Sequence, residues 1–263
     1  MKSSAVAPTN TSNGLSISPN ADNKLIVALD VDHISRAREL VASLRDVAGM
    51  FKVGMQLFTN AGPSFVREII DGGCEVFLDL KYHDIPNTVA AAGVEAARLG
   101  VSIFNVHAAG GSEMMRRTAE SVTEFVEREG LRRPKVIAVT VLTSVNAEVL
   151  GEIGIDHAPL QQVCNLAQLA LKSGLDGVVA SPQEVVEIRE TIAATNFLIV
   201  TPGVRPVASS THDQKRIMSP EEAIRAGSDF LVVGRPIIDD SDPAAAARAI
   251  LCEIEAASSH QNH

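Results

Sequence analysis

The chain has 263 residues, of which 46% are hydrophobic and 21% are charged, and its net charge at pH 7 is −9. This composition predicts a folded globular domain and argues against intrinsic disorder, collagen-like repeats and coiled coils. The negative charge, the absence of tryptophan and the single tyrosine argue against nucleic acid as a partner, which needs surplus cations and stacking aromatics. No apolar run approaches the roughly 20 residues that span a bilayer, so no membrane segment is predicted.

The two ends of the chain differ in composition from its middle. Residues 1–23 are rich in Ser, Asn, Thr and Pro, without the apolar core of a signal peptide, so we expect a flexible tail there and another at residues 258–263. The folded domain is predicted to span residues 24–257. Its cysteines, Cys74, Cys164 and Cys252, fit no metal-binding or disulfide spacing, which predicts reduced thiols in a cytoplasmic protein.

Short apolar runs alternate with amphipathic stretches along this domain, which is the pattern of repeated βα units around a parallel sheet. Strands are predicted at residues 25–30, 50–54, 75–80, 102–107, 135–141, 177–180, 197–201 and 230–234. Helices are predicted after them at residues 35–46, 63–71, 86–99, 111–129, 159–173, 182–194, 220–226 and 243–257. Eight such units predict an α/β fold, a single-domain (β/α)8 TIM barrel.

The active sites of such barrels lie at the carboxyl ends of the strands, so polar residues there are the candidates for function. No motif for nicotinamide binding, P-loop phosphoryl transfer, zincin chemistry or nucleophile-elbow hydrolysis occurs. The strand ends carry polar residues, and the first four of these alternate in charge: Asp30, Lys52, Asp79, Lys81, His107, Thr143, Ser144, Arg205 and Arg235.

Asp79 and Lys81 are two residues apart, so a strand that continues through both puts their side chains on one face, and Asp84 follows closely. A lysine kept charged by neighbouring carboxylates in a desolvated site can donate a proton to a developing carbanion. Lys52 can extend this network. The alternative is a set of ordinary solvated ion pairs at the starts of loops.

Two turns that contain glycine and proline follow the seventh and eighth predicted strands, where barrels often bind phosphate. They read TPGVRP at residues 201–206 and VGRP at residues 233–236. Glycine lets backbone N–H groups approach a phosphate, and Arg205 and Arg235 supply charged forks. Gln214 lies in a long polar loop at residues 207–218, which we interpret as a lid.

A metal site remains an alternative use of the same strand ends. His83 and His107, together with Asp79 or Asp84, are residue types that ligate divalent metals, although no paired-histidine motif occurs. The sequence also allows a barrel that binds a nucleotide or sugar phosphate without turning it over.

The run DLKYHDIPNT at residues 79–88 resembles the signature of the orotidine 5′-phosphate decarboxylase family. The resemblance continues through VALD at residues 27–30, FKVG at 51–54, VTVLTS at 139–144 and the two turns at 201–206 and 233–236. It implies a bacterial-type enzyme, free of cofactors and metals, that converts orotidine 5′-phosphate to UMP and CO2 in the last step of de novo UMP biosynthesis.

The resemblance also implies roles for individual residues. Lys52, Asp79, Lys81 and Asp84 would form the catalytic network, with Lys81 as the proton donor to a carbanion at C6 of the pyrimidine. The substrate-binding residues would be Asp30 and Lys52 at the ribose, Asp79 beside the reacting group, Thr143 and Ser144 at the base, Gln214 between base and phosphate, and Arg205, Gly234 and Arg235 at the base-side contact and phosphate. Asp84, Ile85 and Thr88 would enter the site of a neighbouring subunit, which implies a homodimer with shared active sites.

Metal-dependent sugar-phosphate decarboxylases, synthases and epimerases are the competing interpretation. These barrel enzymes resemble the Asp-x-Lys-x-x-Asp core of the run at residues 79–84. The continuation IPNT at residues 85–88 favours the pyrimidine enzyme.

Overall fold

The computed structural model describes residues 23–194, 196–206 and 218–259 of the chain. Within these residues, eight parallel strands form a closed barrel in chain order, and the eighth strand pairs with the first. The strands are β1 (Leu25–Ala28), β2 (Met50–Gly54), β3 (Val76–Tyr82), β4 (Ile103–His107), β5 (Lys135–Val139), β6 (Gly177–Val179), β7 (Leu198–Pro202) and β8 (Phe230–Val233). The predicted TIM barrel is confirmed.

Helices connect successive strands and cover the outside of the barrel. They are α1 (Ile34–Leu44), α2 (Met55–Asp71), α3 (Pro86–Leu99), α4 (Gly111–Glu129), α5 (Ala147–Glu152), α6 (Pro159–Lys172), α7 (Val185–Thr191), α8 (Pro220–Ala226), α9 (Arg235–Ile238) and α10 (Pro243–Ser259). Turns of 3-10 helix at Ala108–Gly110 and Pro182–Glu184 precede α4 and α7. None of the helices in the described ranges is both long and apolar enough to span a bilayer.

Helix α2 is the clearest departure from the predicted elements, because it begins at Met55 and not at residue 63. Gly62 interrupts this helix with a positive φ of 68°, a conformation that glycine adopts without strain, and Pro63 restarts it. Because proline is typical of the first turn of a helix, the sequence predicts the start at Pro63 instead. Helices α5 and α9 were not predicted either, since runs of 6 and 4 residues carry no usable periodicity.

Side chains that alternate along the strands build two apolar layers. One face of the strands points into the barrel and forms a closed cluster of Ile26, Ala28, Met50, Phe77, Ile103, Ile137, Val200 and Val232. The other face packs against the helices in a larger cluster that includes Phe51, Phe65 and Phe104. Because the interior is filled, polar residues gather where the strands end.

The chain ends of the described region pack onto the barrel. The Asn23 side chain donates to the Val47 carbonyl oxygen at 2.7 Å and accepts from the Leu25 amide at 3.1 Å. Helix α10 extends to Ser259, beyond the predicted end at residue 257. The rest of the predicted tails, at residues 1–22 and 260–263, lies outside the described residues.

The end of the barrel where the strands begin is tied together by Arg189 of α7. Its Nη2 donates to Asp229 Oδ2 at 2.5 Å and to the Gly227 carbonyl oxygen at 2.8 Å, and its Nη1 donates to the Phe197 carbonyl oxygen at 2.6 Å. Asp229 also accepts from the Ile199 amide at 2.6 Å. This one guanidinium therefore joins α7 to β7 and β8.

We expect Arg189→Met to lower the free energy of unfolding by about 2 kcal/mol, because a carboxylate and two carbonyl oxygens lose their donor. Urea unfolding followed by circular dichroism measures the change. Arg225→Met is the matched control, since Arg225 forms an exposed ion pair with Glu221 and its loss should cost about 0.5 kcal/mol or less. Equal losses in the two variants would contradict the structural role of Arg189.

Candidate active site

A cavity of about 810 Å³ opens at the carboxyl ends of the strands. Phe77 and Val232, from the cluster inside the barrel, contribute to its lining. The residues predicted from the sequence that also line it are Asp30, Lys52, Asp79, Lys81, Thr143, Arg205, Gly234 and Arg235. The fold therefore gathers most of the predicted site at one mouth of the barrel.

Charged side chains that lie on or just after the first three strands form a chain of alternating sign across this cavity. Lys52 Nζ lies 2.9 Å from Asp30 Oδ1 and 3.3 Å from Asp79 Oδ2. Lys81 Nζ lies 2.6 Å from Asp79 Oδ1. Asp79 thus lies between two ammonium groups, and the four residues are in contact as an extended network.

The network runs from solvent into the protein. The side chain of Asp30 is 55% exposed, whereas those of Lys52 and Asp79 are 10% and 13% exposed. Burial acts to raise the pKa of Asp79, but the ammonium groups of Lys52 and Lys81 and the hydrogen bonds from Lys81 and Asn105 outweigh it and hold this pKa below its ordinary value. Asp79 is therefore a carboxylate at neutral pH.

The backbone of β3 is irregular where it carries this network. Its pairing with β4 shifts between Leu78 and Tyr82, so three residues of β3 lie opposite the single residue Asn105. Lys81 has a φ of +51°, a left-handed conformation that costs about 1 to 2 kcal/mol in a residue with a side chain. Irregularities of this kind occur beside active sites, where they redirect side chains.

Asn105 is a polar residue of the site that the sequence analysis missed. It is fully buried, its Oδ1 accepts from the Lys81 amide at 2.7 Å, and its Nδ2 donates to Asp79 Oδ1 at 2.7 Å. A signal for it was present in the sequence. Ile103 faces into the barrel, so a polar residue two positions further along the same strand faces inward as well.

The second half of the DLKYHDIPNT run lies outside the cavity. Asp84, Ile85 and Thr88 are all exposed, and the apolar side chain of Ile85 is 66% exposed. The Asp84 carboxylate accepts a hydrogen bond from the Ile85 amide at 2.6 Å, and among the described residues it has no ion-pair partner. One chain therefore does not bring Asp84 into the network with Lys81, contrary to the expectation from its position in the sequence.

The other predicted binding residues come from the later strands. Thr143 and Ser144 follow β5 and are exposed, but only Thr143 lines the cavity. Gly203 precedes Arg205 by two residues and has a φ of +82°, so the turn after β7 requires glycine there. Gln214 lies outside the described residues.

The histidines that suggested a metal site are next to each other. The rings of His83 and His107 stack with centroids 5.4 Å apart. Burial lowers the pKa of His107, and the charges of His83 and Lys81 add to this effect. Across residues 23–194, 196–206 and 218–259, no group of three or more His, Cys, Asp or Glu side chains is placed to hold a metal ion.

Known proteins are similar to this chain in both sequence and fold. The sequence model of the orotidine 5′-phosphate decarboxylase / HUMPS family matches residues 23–250. A protein named orotidine 5′-phosphate decarboxylase from Geobacter metallireducens is 55% identical over 236 residues, or 90% of this chain and 98% of that protein. One of the same name from Geobacter sulfurreducens is 56% identical over the same shares. The crystal structure of orotidine 5′-phosphate decarboxylase from Lactobacillus acidophilus superposes with a TM-score of 0.78 at 40% identity, covering 89% of this chain and 99% of that one. The chain therefore belongs to the orotidine 5′-phosphate decarboxylase / HUMPS family.

Proposed function

We propose that this protein decarboxylates orotidine 5′-phosphate to UMP and CO2, the last step of de novo UMP biosynthesis. The observation that carries the proposal is the 2.6 Å contact between the Lys81 ammonium and the Asp79 carboxylate inside the cavity. Relatives that are 55% and 56% identical over nearly their whole length carry the name of this enzyme.

The proposed reaction breaks the bond between C6 of the pyrimidine and its carboxyl carbon. The electron pair stays on C6 as a carbanion, CO2 leaves, and the Lys81 ammonium stabilises the carbanion and donates the proton that completes UMP. Asp79 holds this ammonium in place. Its negative charge also lies on the side of the departing carboxylate, where repulsion disfavours the bound ground state. Side chains supply each of these steps, and no cofactor is part of the proposal.

The other predicted site residues bind different parts of the nucleotide in this proposal. Asp30 and Lys52 bind the ribose hydroxyls, and their 2.9 Å contact places a donor and an acceptor side by side. The residues assigned to the base are Thr143 and Ser144, those assigned to the base-side contact and phosphate are Arg205, Gly234 and Arg235, and Gln214 bridges base and phosphate. Phosphate held far from C6 contributes free energy that the reacting end of the substrate can use.

We further propose that the working unit is a homodimer with shared active sites. The support is the exposure of Asp84, Ile85 and Thr88, which suits contact with a partner's cavity. An exposed apolar side chain beside a carboxylate that has no ion-pair partner within the described ranges gives such a contact both apolar area and charge. A cytoplasmic location is proposed as well, and the unpaired cysteines of the described chain fit a reducing compartment.

The function is tested by the ultraviolet absorbance of orotidine 5′-phosphate mixed with the purified protein in excess chelator. We expect rapid conversion to UMP that the chelator does not slow, because Lys81 supplies the proton and the charge stabilisation. Activity that is lost in chelator and restored by a divalent cation would instead indicate the metal-dependent sugar-phosphate enzymes. Tight binding of UMP without any conversion would indicate a binding protein.

A further inference from the structure

The carboxamide of Asn105 uses both of its hydrogen-bonding ends inside the active site. Its oxygen accepts from the Lys81 backbone amide and its nitrogen donates to Asp79 Oδ1, each at 2.7 Å. A backbone N–H can only donate and a carboxylate can only accept, so one orientation of the amide satisfies both partners. Asn105 is fully buried, and therefore water does not compete for either bond.

The position of Asn105 in the sheet explains why a side chain is needed there. The register of β3 against β4 shifts between Leu78 and Tyr82, and Asn105 is the residue of β4 opposite that shift. The Lys81 amide lies within the irregular stretch, and a buried N–H without an acceptor is strongly unfavourable. The oxygen of Asn105 provides this acceptor, at the one residue with a side chain whose φ is positive in the described ranges.

The Asp79 carboxylate is oriented by the same group. Lys52 contacts its Oδ2 at 3.3 Å, whereas Lys81 and Asn105 both contact its Oδ1, at 2.6 and 2.7 Å. Three donors from three strands therefore determine the plane of the carboxylate. Of these donors, Asn105 alone also binds the backbone of Lys81.

We propose that Asn105 is a positioning residue for the decarboxylation: it holds the Lys81 backbone in its left-handed conformation and orients Asp79, so that the Lys81 ammonium points at C6. This inference rests on the proposed function. A displacement of about 1 Å in a catalytic group can cost about 100-fold in rate. Substitution of Asn105 should therefore lower the rate of decarboxylation, although its side chain need not touch the substrate.

The first test is Asn105→Leu, which preserves approximate size and removes both hydrogen bonds. We expect kcat for orotidine 5′-phosphate to fall by about 100-fold, while the Kd for UMP changes by no more than about threefold, because the loss falls on the transition state. Thr118→Val is the matched control. Thr118 is equally buried and donates to the Met114 carbonyl oxygen within α4, so its loss should lower stability and leave kcat unchanged.

The second test is Asn105→Asp, which guards against a failure of the leucine variant to fold. The introduced carboxylate still accepts from the Lys81 amide but cannot donate to Asp79 until it is protonated. The ratio of variant to wild-type kcat should therefore rise as the pH falls. Of the titratable groups around this position, Asp79 and Lys81 on β3 contact Asn105 directly, Lys52 on β2 contacts Asp79, and His107 lies two residues further along β4. The residue paired with Asn105 on β5 is Ile137.

The outcomes separate the inference from the proposed function. A kcat for Asn105→Leu within about threefold of wild type, or a loss of UMP binding as large as the loss of kcat, would overturn the positioning role. A kcat ratio for Asn105→Asp that stays constant with pH would overturn it too. If the wild-type protein itself leaves orotidine 5′-phosphate unchanged, the proposed function fails and this inference falls with it.

Discussion

Lys81→Ala is expected to lower kcat for orotidine 5′-phosphate by about 10⁴-fold, because it removes both the proton donor and the charge that stabilises the carbanion. The Kd for UMP should change far less, since these interactions form mainly in the transition state. The variant should fold, because Asp79 keeps Lys52 at 3.3 Å and Asn105 at 2.7 Å. Single-turnover absorbance measurements and a titration with UMP give the two quantities.

Lys135→Ala is the matched control for this prediction. Lys135 begins β5 at the opposite end of the barrel, where its side chain is 53% exposed and pairs with Asp176 at 3.4 Å. The Lys135→Ala substitution also removes an ammonium group, but it does not touch the cavity, so turnover should stay at the wild-type level. Near-normal turnover in Lys81→Ala would rule out the proposed role of Lys81.

The barrel was predictable because its signals are local. Each strand is buried on both faces and therefore appears as a short run of Val, Ile, Leu and Phe. Helices α3 and α8 were predicted at both ends, because each begins at a proline and ends before a glycine in the left-handed conformation, Gly100 and Gly227. The start of α2 at Met55 was missed for the same reason, since the proline signal at Pro63 lies in its middle.

The charged part of the site was predictable because strand ends converge at one mouth of a TIM barrel. The topology alone predicts that four residues from three stretches of the sequence meet there, namely Asp30, Lys52, Asp79 and Lys81. Their order of contact was not predictable, because it depends on which carboxylate oxygen each ammonium reaches.

The irregularity in β3 could not be predicted from the sequence. A lysine gives no indication that its φ will be positive, and nothing near Lys81 suggests a shift in strand register. Asn105 does not stand out in the sequence, because it lies within β4 and not at the end of the strand, where polar residues are the expected candidates for a site. The position of Asp84 depends on a loop, and its proposed partner is another chain.

Asp79→Asn is expected to lower kcat by about 10³-fold or more, because Lys81 loses the carboxylate that holds its ammonium. It should also lower the free energy of unfolding by about 3 kcal/mol, because it leaves the mostly buried Lys52 and Lys81 without the charge between them.

The pKa of Asp79 is lower in the folded protein than in the unfolded chain. Its stabilisation is therefore complete above the unfolded pKa, at about 4, and is lost as the pH falls through the folded pKa.

The difference in stability between wild type and Asp79→Asn should accordingly be largest near neutral pH and shrink below about pH 4, as measured by urea unfolding at several pH values. Asp176→Asn is the matched control, because Asp176 is similarly buried and accepts from Arg133 at 2.7 Å and from the Val136 amide at 2.8 Å, at the far end of the barrel. It should lose stability without losing turnover. If both variants kept their turnover, or if both lost it in proportion to stability, Asp79 would have only a structural role, and the network around Lys81 would not be the catalytic centre.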